Sequence, residues 1–490
     1  MAENDINLGS CSGRKASRYL YVFIWGWHLT RRISTARVLS VAGVRWALCA
    51  AGGACGPASA QTLRDTAREA VRTSPRIDVV ARNREAVGQE LARARGQYLP
   101  QIDLRVGAGP ERTENATTRA RGGSTSLTRR DSGIFATQRL FDGWETDSEV
   151  ERQKTRVESA ANRIGEAVEL VAFDAVEAHI EVLRQRTLLD LAATNVLAHR
   201  AIVEKVQARS AEMTPFGEAE QASARLDTAT ATEIETRGAL EDAENRYMAL
   251  VDRMPGQLEP APYPTAAMQE FGTLDSLIER ARRNNRTLQV TQSDIRVSER
   301  EVEAADSAFY PKVNLEFGAS RNRNADGTRG DDNDASALVV MRWNLYRGGS
   351  DIAQRRVALG RMSQTIAQHH VAARATEEEV RRAWILLQAA EARIPVLAAA
   401  VEKNIRVRDT YATQFLTRDR SLIDVLNAEN ELFVSNGRLV SAETARVAAA
   451  YRLLAATAEL VRALDIGDVV SADPAQPPAI PDDPRRMPGR

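Results

Sequence analysis

Two short stretches of this chain alternate apolar with polar residues, and long helical patterns surround both. The clearer stretch follows Ala308-Phe-Tyr-Pro311, where Val313, Leu315 and Phe317 interleave with Asn314, Glu316 and Gly318. After an Asn/Asp/Gly-rich loop, Ala337, Val339, Met341, Trp343 and Leu345 resume the alternation. Period-two spacing around such a loop predicts a β-hairpin. Pro311 stops the preceding helical pattern, because proline lacks the N–H and clashes with the turn before it. Gly348 and Gly349 let the chain turn into the next helix. A single hairpin cannot bury its own apolar face, so something beyond it must cover that face.

The rest of the chain repeats this arrangement. Leu63–Thr73 and Asp78–Gln97 read as helices, and Pro100 introduces a strand with Ile102, Leu104 and Val106 on one face. The polar stretch Glu111–Arg130 suits an exposed loop, and Ile134, Ala136 and Leu140 mark a second strand ending at Phe141-Asp142-Gly143. From Glu145 to about Arg209 the only glycine is Gly165 and there is no proline. That predicts a helix about 95–100 Å long. Pro215 and Gly217 break it, and a return helix runs from Glu218 to about Asp252. The second half is expected to descend from Asp351 to about Phe415, interrupted at Gly360 and Pro395, and to return from Ser421 to about Leu464.

Pro100 and Pro311, Leu104 and Leu315, and Gly107 and Gly318 each stand 211 residues apart. Leu140-Phe-Asp-Gly143 recurs as Leu345-Tyr-Arg-Gly348 at an offset of 205, and Ala222 and Leu226 recur as Ala428 and Leu432 at 206. A near-constant offset through helix, hairpin and turn indicates duplication. The expected layout is a leader over 1–60, a first repeat over 61–256 (hairpin 99–142, helical hairpin 145–252) and a linker over 257–272. A second repeat covers 273–466 (hairpin 311–346, helical hairpin 351–464), and the Pro-rich tail 467–490 is expected to be disordered.

Composition narrows the functional classes. Arg31-Arg32 and Arg37 precede an apolar run from Val38 to Ala54, with Ala58-Ser59-Ala60 before Gln61. That order is a signal peptide with its cleavage site. Cys11, Cys49 and Cys55 all lie in this leader, so the remaining chain has no thiolate chemistry. Lysine plus arginine equals aspartate plus glutamate at 66 each, which leaves no basic footprint for nucleic acid. No phosphate-binding loop occurs. The five histidines include no set at metal-ligand spacing with carboxylates, and His369 and His370, being adjacent, point to different faces. No cofactor, metal or enzymatic activity is expected.

An apolar face opposite a polar one fits a barrel wall with lipid outside and water inside. Four strands cannot close a barrel, since membrane barrels need about eight. Their edges must therefore pair with other copies of the chain. Narrow alanine stripes such as Ala160, Ala161, Ala167 and Ala175 suit close helix–helix packing. The alternative is a soluble coiled-coil scaffold or adaptor whose hairpins pack on helices.

The chain resembles the TolC-like outer-membrane efflux and secretion channels. The resemblance rests on the duplication, the Tyr-x-Pro and Tyr-Pro entries to the strands, and the Leu-Phe-Asp-Gly and Leu-Tyr-Arg-Gly-Gly exits. The most specific stretch is Gln414-Phe-Leu-Thr-Arg-Asp-Arg-Ser-Leu-Ile-Asp-Val-Leu-Asn-Ala-Glu-Asn-Glu-Leu432. Together with Trp343–Gly349, it is most similar to the branch serving type I protein secretion. The resemblance implies a mainly α fold with a membrane β-barrel portion. Each of three protomers would contribute four β-strands to a twelve-stranded outer-membrane barrel and long helices to a periplasmic α-barrel.

It further implies a homotrimer in outer-membrane lipid that works with a periplasmic adaptor and an inner-membrane ABC or proton-driven transporter. The periplasmic gate would comprise Asp424, Arg420, Phe415, Asn427 and Glu218. Asp424 stands where a gate aspartate is expected, and three copies of it would attract cations. Arg420 matches a position that pairs across neighbouring coiled coils. Asn427 departs from a frequent second aspartate, Phe415 from a tyrosine, and Glu218 corresponds to Asp424 in the first repeat. Leu416, Thr417, Arg418 and Pro215 would form the adaptor-docking tip, with Arg418 in place of a customary glycine. Pro100, Gly143, Pro311, Gly348 and Gly349 would form the helix–barrel junctions. Without the family, Ser421 and Asp424 read equally as the cap of a helical hairpin.

Overall fold

The computed structural model describes residues 60–210, 216–417 and 419–467. The leader with its cysteines, the tail beyond Gly467, and the tip residues Pro215 and Arg418 lie outside the described residues.

Helix α1 (Leu63–Thr73) opens with a capping box in which Thr62 and Asp65 exchange side-chain and backbone hydrogen bonds. Pro75 starts α2 (Pro75–Gly96), where its missing N–H costs nothing. The first hairpin follows as β1 (Gln101–Thr113), the short α3 (Ala116–Ala120) and β2 (Thr125–Phe141). Then α4 (Glu145–Ser210) and α5 (Phe216–Val251) run out and back. At 66 residues, α4 is about 99 Å long. Next come α6 (Thr265–Phe271), α7 (Leu274–Asn284) and α8 (Arg286–Asp306). β3 (Lys312–Arg323) and β4 (Asp331–Arg342) form the second hairpin, and α9 (Ser350–Leu416), α10 (Leu422–Ala456) and α11 (Leu460–Ala463) complete the chain. The duplication is visible element by element. α7 carries its own capping box, Thr273 with Ser276, at the same 211-residue offset from α1.

All four strands form one antiparallel sheet in the order β1-β2-β3-β4. Antiparallel partners share a face, so the register sorts the side chains. Val313 pairs with Met341, Leu315 with Val339 and Phe317 with Ala337 on the apolar face. On the other face Lys312 pairs with Arg342, Asn314 with Val340 and Glu316 with Leu338. The apolar face has no cover among the described residues: Leu104 is 72% exposed and Val339 67%.

Three sequence expectations need correction. Trp343 and Leu345 were expected in the last strand, but β4 ends at Arg342. Arg342 pairs with Lys312, the first residue of β3, so β3 has no residue left to pair with Trp343 or Leu345. The polar segment 111–130 is not all loop, because β1 and β2 pair out to Thr113 and Thr125. A ladder standing in water tolerates polar side chains on both faces, and threonine favours strand. Finally, α9 continues through Gly360 and Pro395. Proline forfeits one backbone bond at a cost of about 3 kcal/mol, which packing along α10 offsets over so long a helix. The return helix, by contrast, stops at Ala456. The Thr457 hydroxyl bonds back to Leu453 O at 3.0 Å, and Ala458 takes a left-handed φ of 55° before α11.

The main core lies where α1, α4, α7, α9, α10 and α11 meet, around Val176, Val182, Leu277, Val380, Leu454 and Leu460. His179 is wholly buried there. Its Nε2 donates to Glu259 O (2.9 Å), so its Nδ1 accepts from the Thr66 hydroxyl (2.9 Å). Burial pushes its pKa down and keeps it neutral. It is a core residue and not a ligand. Nearby, Glu169 on α4 is only 7% exposed, and its Oε2 has no hydrogen-bond partner among the described residues. Burial pushes its pKa up to about 7, against a backbone hydrogen bond from Val461 and the charge of Arg286.

Glu169 therefore binds its proton more tightly folded than unfolded, and its contribution falls as pH rises through about 7. Glu169→Gln should raise the melting temperature more at pH 8 than at pH 5, a comparison that thermal unfolding monitored by circular dichroism can make.

Candidate functional site at the helical tip and the helix–sheet junctions

At one end of the long helices the sheet is joined through short turns. Pro100 and Pro311 each immediately precede the first residue of a strand. Gly143 (φ 71°), Gly348 (φ 61°) and Gly349 (φ 84°) occupy left-handed backbone positions where the chain leaves the sheet. Gly143 is also sterically required: a Cβ there would stand 2.6 Å from Tyr310 Cβ and 2.8 Å from Ser307 O. Around it, Trp144 meets Phe141 and Tyr310 edge to face, with ring centroids 5.2 and 5.1 Å apart. Buried Asp142 caps α4 by accepting from Thr146 N (3.0 Å) and from the Thr146 hydroxyl (2.5 Å), and Arg139 lies 3.2 Å away. Asp142 and Trp144 were not singled out from sequence. Their spacing gave no signal, since a helix cap normally stands two or three residues before the N–H it receives.

At the far end, the two helical hairpins meet in a small apolar cluster separate from the main core. Ile202, Val203 and Val206 of α4 and Ala222 of α5 pack with Phe415 of α9 and Leu422, Val425 and Leu426 of α10. Phe415 thus lies inside the tip, only 8% exposed, while Leu416 is 64% exposed at its end.

Beside this cluster the α9–α10 turn carries the polar candidates. Asp419 N donates to Gln414 O (3.0 Å), and the Thr417 hydroxyl lies 2.6 Å from Asp419 Oδ2. Ser421 caps α10, its Oγ accepting from Asp424 N (3.3 Å) and donating to Asp424 Oδ2 (2.9 Å). Arg420 is held within the chain on three sides. Its guanidinium sits 4.5 Å from the centroid of the Tyr411 ring, its Nε donates to Gln414 Oε1 (3.2 Å), and its Nη1 is 3.8 Å from Asp424 Oδ2. A cation over an aromatic face gains about 0.5–1 kcal/mol at an exposed site.

The turn therefore brings Phe415, Leu416, Thr417, Arg420 and Asp424 together. Asn427 faces the other hairpin and accepts from Arg225 Nη2 of α5 (3.4 Å). Glu218 stands in the first turn of α5. Tyr411 and Arg225 went unnoticed in the sequence, and Gln414 served only as the start of the stretch carrying the resemblance, since none belongs to a spacing that a helix face alone makes distinctive. Half-buried Glu429 on α10 was missed as well. Burial pushes its pKa up against the pull of Arg408, 3.7 Å away.

The architecture and the sequence have relatives. The family model described as outer membrane efflux protein matches residues 277–459. The chain is 28% identical over 375 residues to the outer membrane efflux protein BepC of Brucella suis, covering 76% of this chain and 80% of the relative. It is 24% identical over 400 residues to the outer membrane protein TolC of Vibrio cholerae, covering 78% and 87%. Among solved structures, the CmeC outer membrane channel of Campylobacter jejuni superposes with a TM-score of 0.70 at 12% identity, covering 81% of this chain and 86% of that one. The outer membrane protein VceC of Vibrio cholerae gives 0.67 at 16% identity, covering 82% and 95%.

Two substitutions probe the two ends. Phe415→Ala should destabilise the tip by about 3 kcal/mol, as large-to-small core changes do, and limited proteolysis should then cut between α9 and α10 sooner. Gly143→Ala should abolish folded protein in the membrane fraction, whereas Gly348→Ala, with open space around it, should lose only part of the yield.

Proposed function

We propose, from the match of residues 277–459 to the outer membrane efflux protein model and the likeness to BepC and TolC, that this chain is the passive, gated exit duct of a type I secretion or efflux system. Three copies pair β4 of one with β1 of the next to close a twelve-stranded barrel in the outer membrane. Their long helices assemble below it into a tunnel across the periplasm. The likeness to outer membrane efflux proteins supports this reading over a soluble coiled-coil scaffold.

The observation that carries this reading is the sheet itself. Among the described residues it has an apolar face without cover and two unpaired edges, and it stands on helices about 100 Å long. Lipid is the solvent that face requires, and hydrocarbon tolerates no open edge. Val371, Ile385 and Val396, left exposed on α9, supply apolar surface for a neighbouring protomer.

The gate is the turn between α9 and α10. Three Asp424 carboxylates around the axis favour cations, and Arg420 braces the closed tip through Tyr411, Gln414 and Asp424. Glu218 and Asn427 line the same end. A periplasmic adaptor engages Leu416, Thr417, Arg418 and Pro215 and draws the tips apart, with an inner-membrane ABC or proton-driven transporter supplying the energy. The stretches Trp343–Gly349 and Gln414–Leu432 favour the protein-secreting branch.

In planar bilayers the detergent-purified protein should conduct with a preference for cations. Arg420→Ser should raise that conductance several-fold, and Asp424→Asn should weaken the cation preference. An unchanged conductance in the first variant would remove Arg420 from the gate. Complete extraction by a salt wash without detergent would refute the barrel.

A further inference from the structure

At the end of the sheet away from the helices, the outward face changes from apolar to cationic. Above Ile134, Phe317 and Ala319, the same face carries Arg130 on β2 and Arg321 and Arg323 on β3, with Arg112 four residues further out on β1, opposite Ser126. Arg130 is the direct cross-strand partner of Arg323. Like charges placed opposite each other on one face destabilise a ladder, so the arrangement calls for an anion.

The chain supplies little of that charge. Among the paired positions of this face the only carboxylate is Asp331, 2.9 Å from Arg321 Nη2 and 3.6 Å from Arg323 Nε. Arg130 makes no ion pair among the described residues, and Arg112 Nε reaches only the Ser124 hydroxyl, at 3.3 Å. The side chains of Arg321 and Arg323 remain 70% and 61% exposed. On the inward face the reverse holds. There Arg129 sits between Glu111 (3.4 Å) and Asp131 (3.1 Å), its charge locally matched. At this end of the sheet, three arginines on the outward face share a single carboxylate.

Their height is informative. From Val313, near the helix end, to Arg323 is ten residues, or about 34 Å along an antiparallel strand. At a tilt of about 40° this is about 26 Å of vertical rise, against an apolar band of about 25 Å in an outer-membrane barrel. The cluster therefore sits level with the headgroups of the outer leaflet.

We propose that Arg130, Arg321 and Arg323 form a binding site for the phosphate groups of an anionic glycolipid headgroup in the outer leaflet. The inference rests on the membrane-barrel reading. Guanidinium groups grip phosphate through two parallel N–H···O bonds, and one phosphate between Arg130 and Arg323 removes the repulsion that the register imposes. Asp331 holds Arg321 and Arg323 side by side.

The full-length protein and the triple variant R130Q/R321Q/R323Q can be compared in detergent by native mass spectrometry and thermal unfolding. The probes are bisphosphorylated lipid A, its dephosphorylated form, phosphatidylcholine and inorganic phosphate. Wild type should retain lipid A and melt higher in its presence, with at least ten-fold weaker binding of the dephosphorylated form and in the triple variant. Equal retention by both proteins would overturn the site. A stabilisation reproduced by millimolar inorganic phosphate alone would assign the cluster to free phosphate and overturn the lipid assignment. Bilayer conductance separates this outcome from failure of the channel reading. A triple variant that conducts normally but still binds lipid A refutes the site alone, whereas a wild type that never inserts refutes both.

Discussion

Every strand needs partners on both sides, and an edge left open in hydrocarbon forfeits a row of backbone hydrogen bonds. The four-stranded sheet of this chain satisfies β2 and β3 but leaves the outer sides of β1 and β4 open. Much else depends on that deficit. In the proposed trimer those edges pair between copies, and the helices below the sheet stand beside copies of themselves. Small residues along α4, such as Ala172, Ala175 and Ala178, bring helices close inside the chain. Larger apolar residues on α9 remain on the open side. The molecule is thus well packed across its middle and unfinished along its flanks.

The duplication was legible because it rests on residues with few substitutes. Prolines before strands, glycines at left-handed turns and the alternation of Val313, Leu315 and Phe317 are constraints of backbone and solvent, and they appear directly as letters. Element ends were less legible. β4 stops at Arg342 because its partner begins at Lys312, which is a property of pairing and not of the segment. The polar outer reaches of β1 and β2 carry no hydropathy signal, since both of their faces are polar. Pro395 reads as a break in any local rule, but a helix as long as α9 has many turns on either side to hold it straight.

The tip was legible only in part. Arg420 and Asp424 were singled out through resemblance, and the structure brings them within 3.8 Å. Phe415 was expected at the gate and is found inside a small core between the hairpins. Its neighbours come from four different helices, so no spacing within one segment could announce them. The same holds for Tyr411 beneath Arg420, and for Arg225 reaching across to Asn427. Contacts that join hairpins are products of tertiary packing, and a single sequence records them only as unremarkable helix residues.

The two glycine turns below the sheet differ in a way that bears on how the protein comes to be made. Beside Gly143 the space is filled by Tyr310 of the same chain, whereas a Cβ added at Gly348 would meet no non-neighbouring atom of the described residues within 4 Å. The first repeat is closed by the second, but the second has no third repeat to close it. In the proposed trimer one turn is completed when the chain folds, and the other when another chain arrives. Folding and association would then form a single thermodynamic event, and resistance to unfolding would depend on how much of the protein is present.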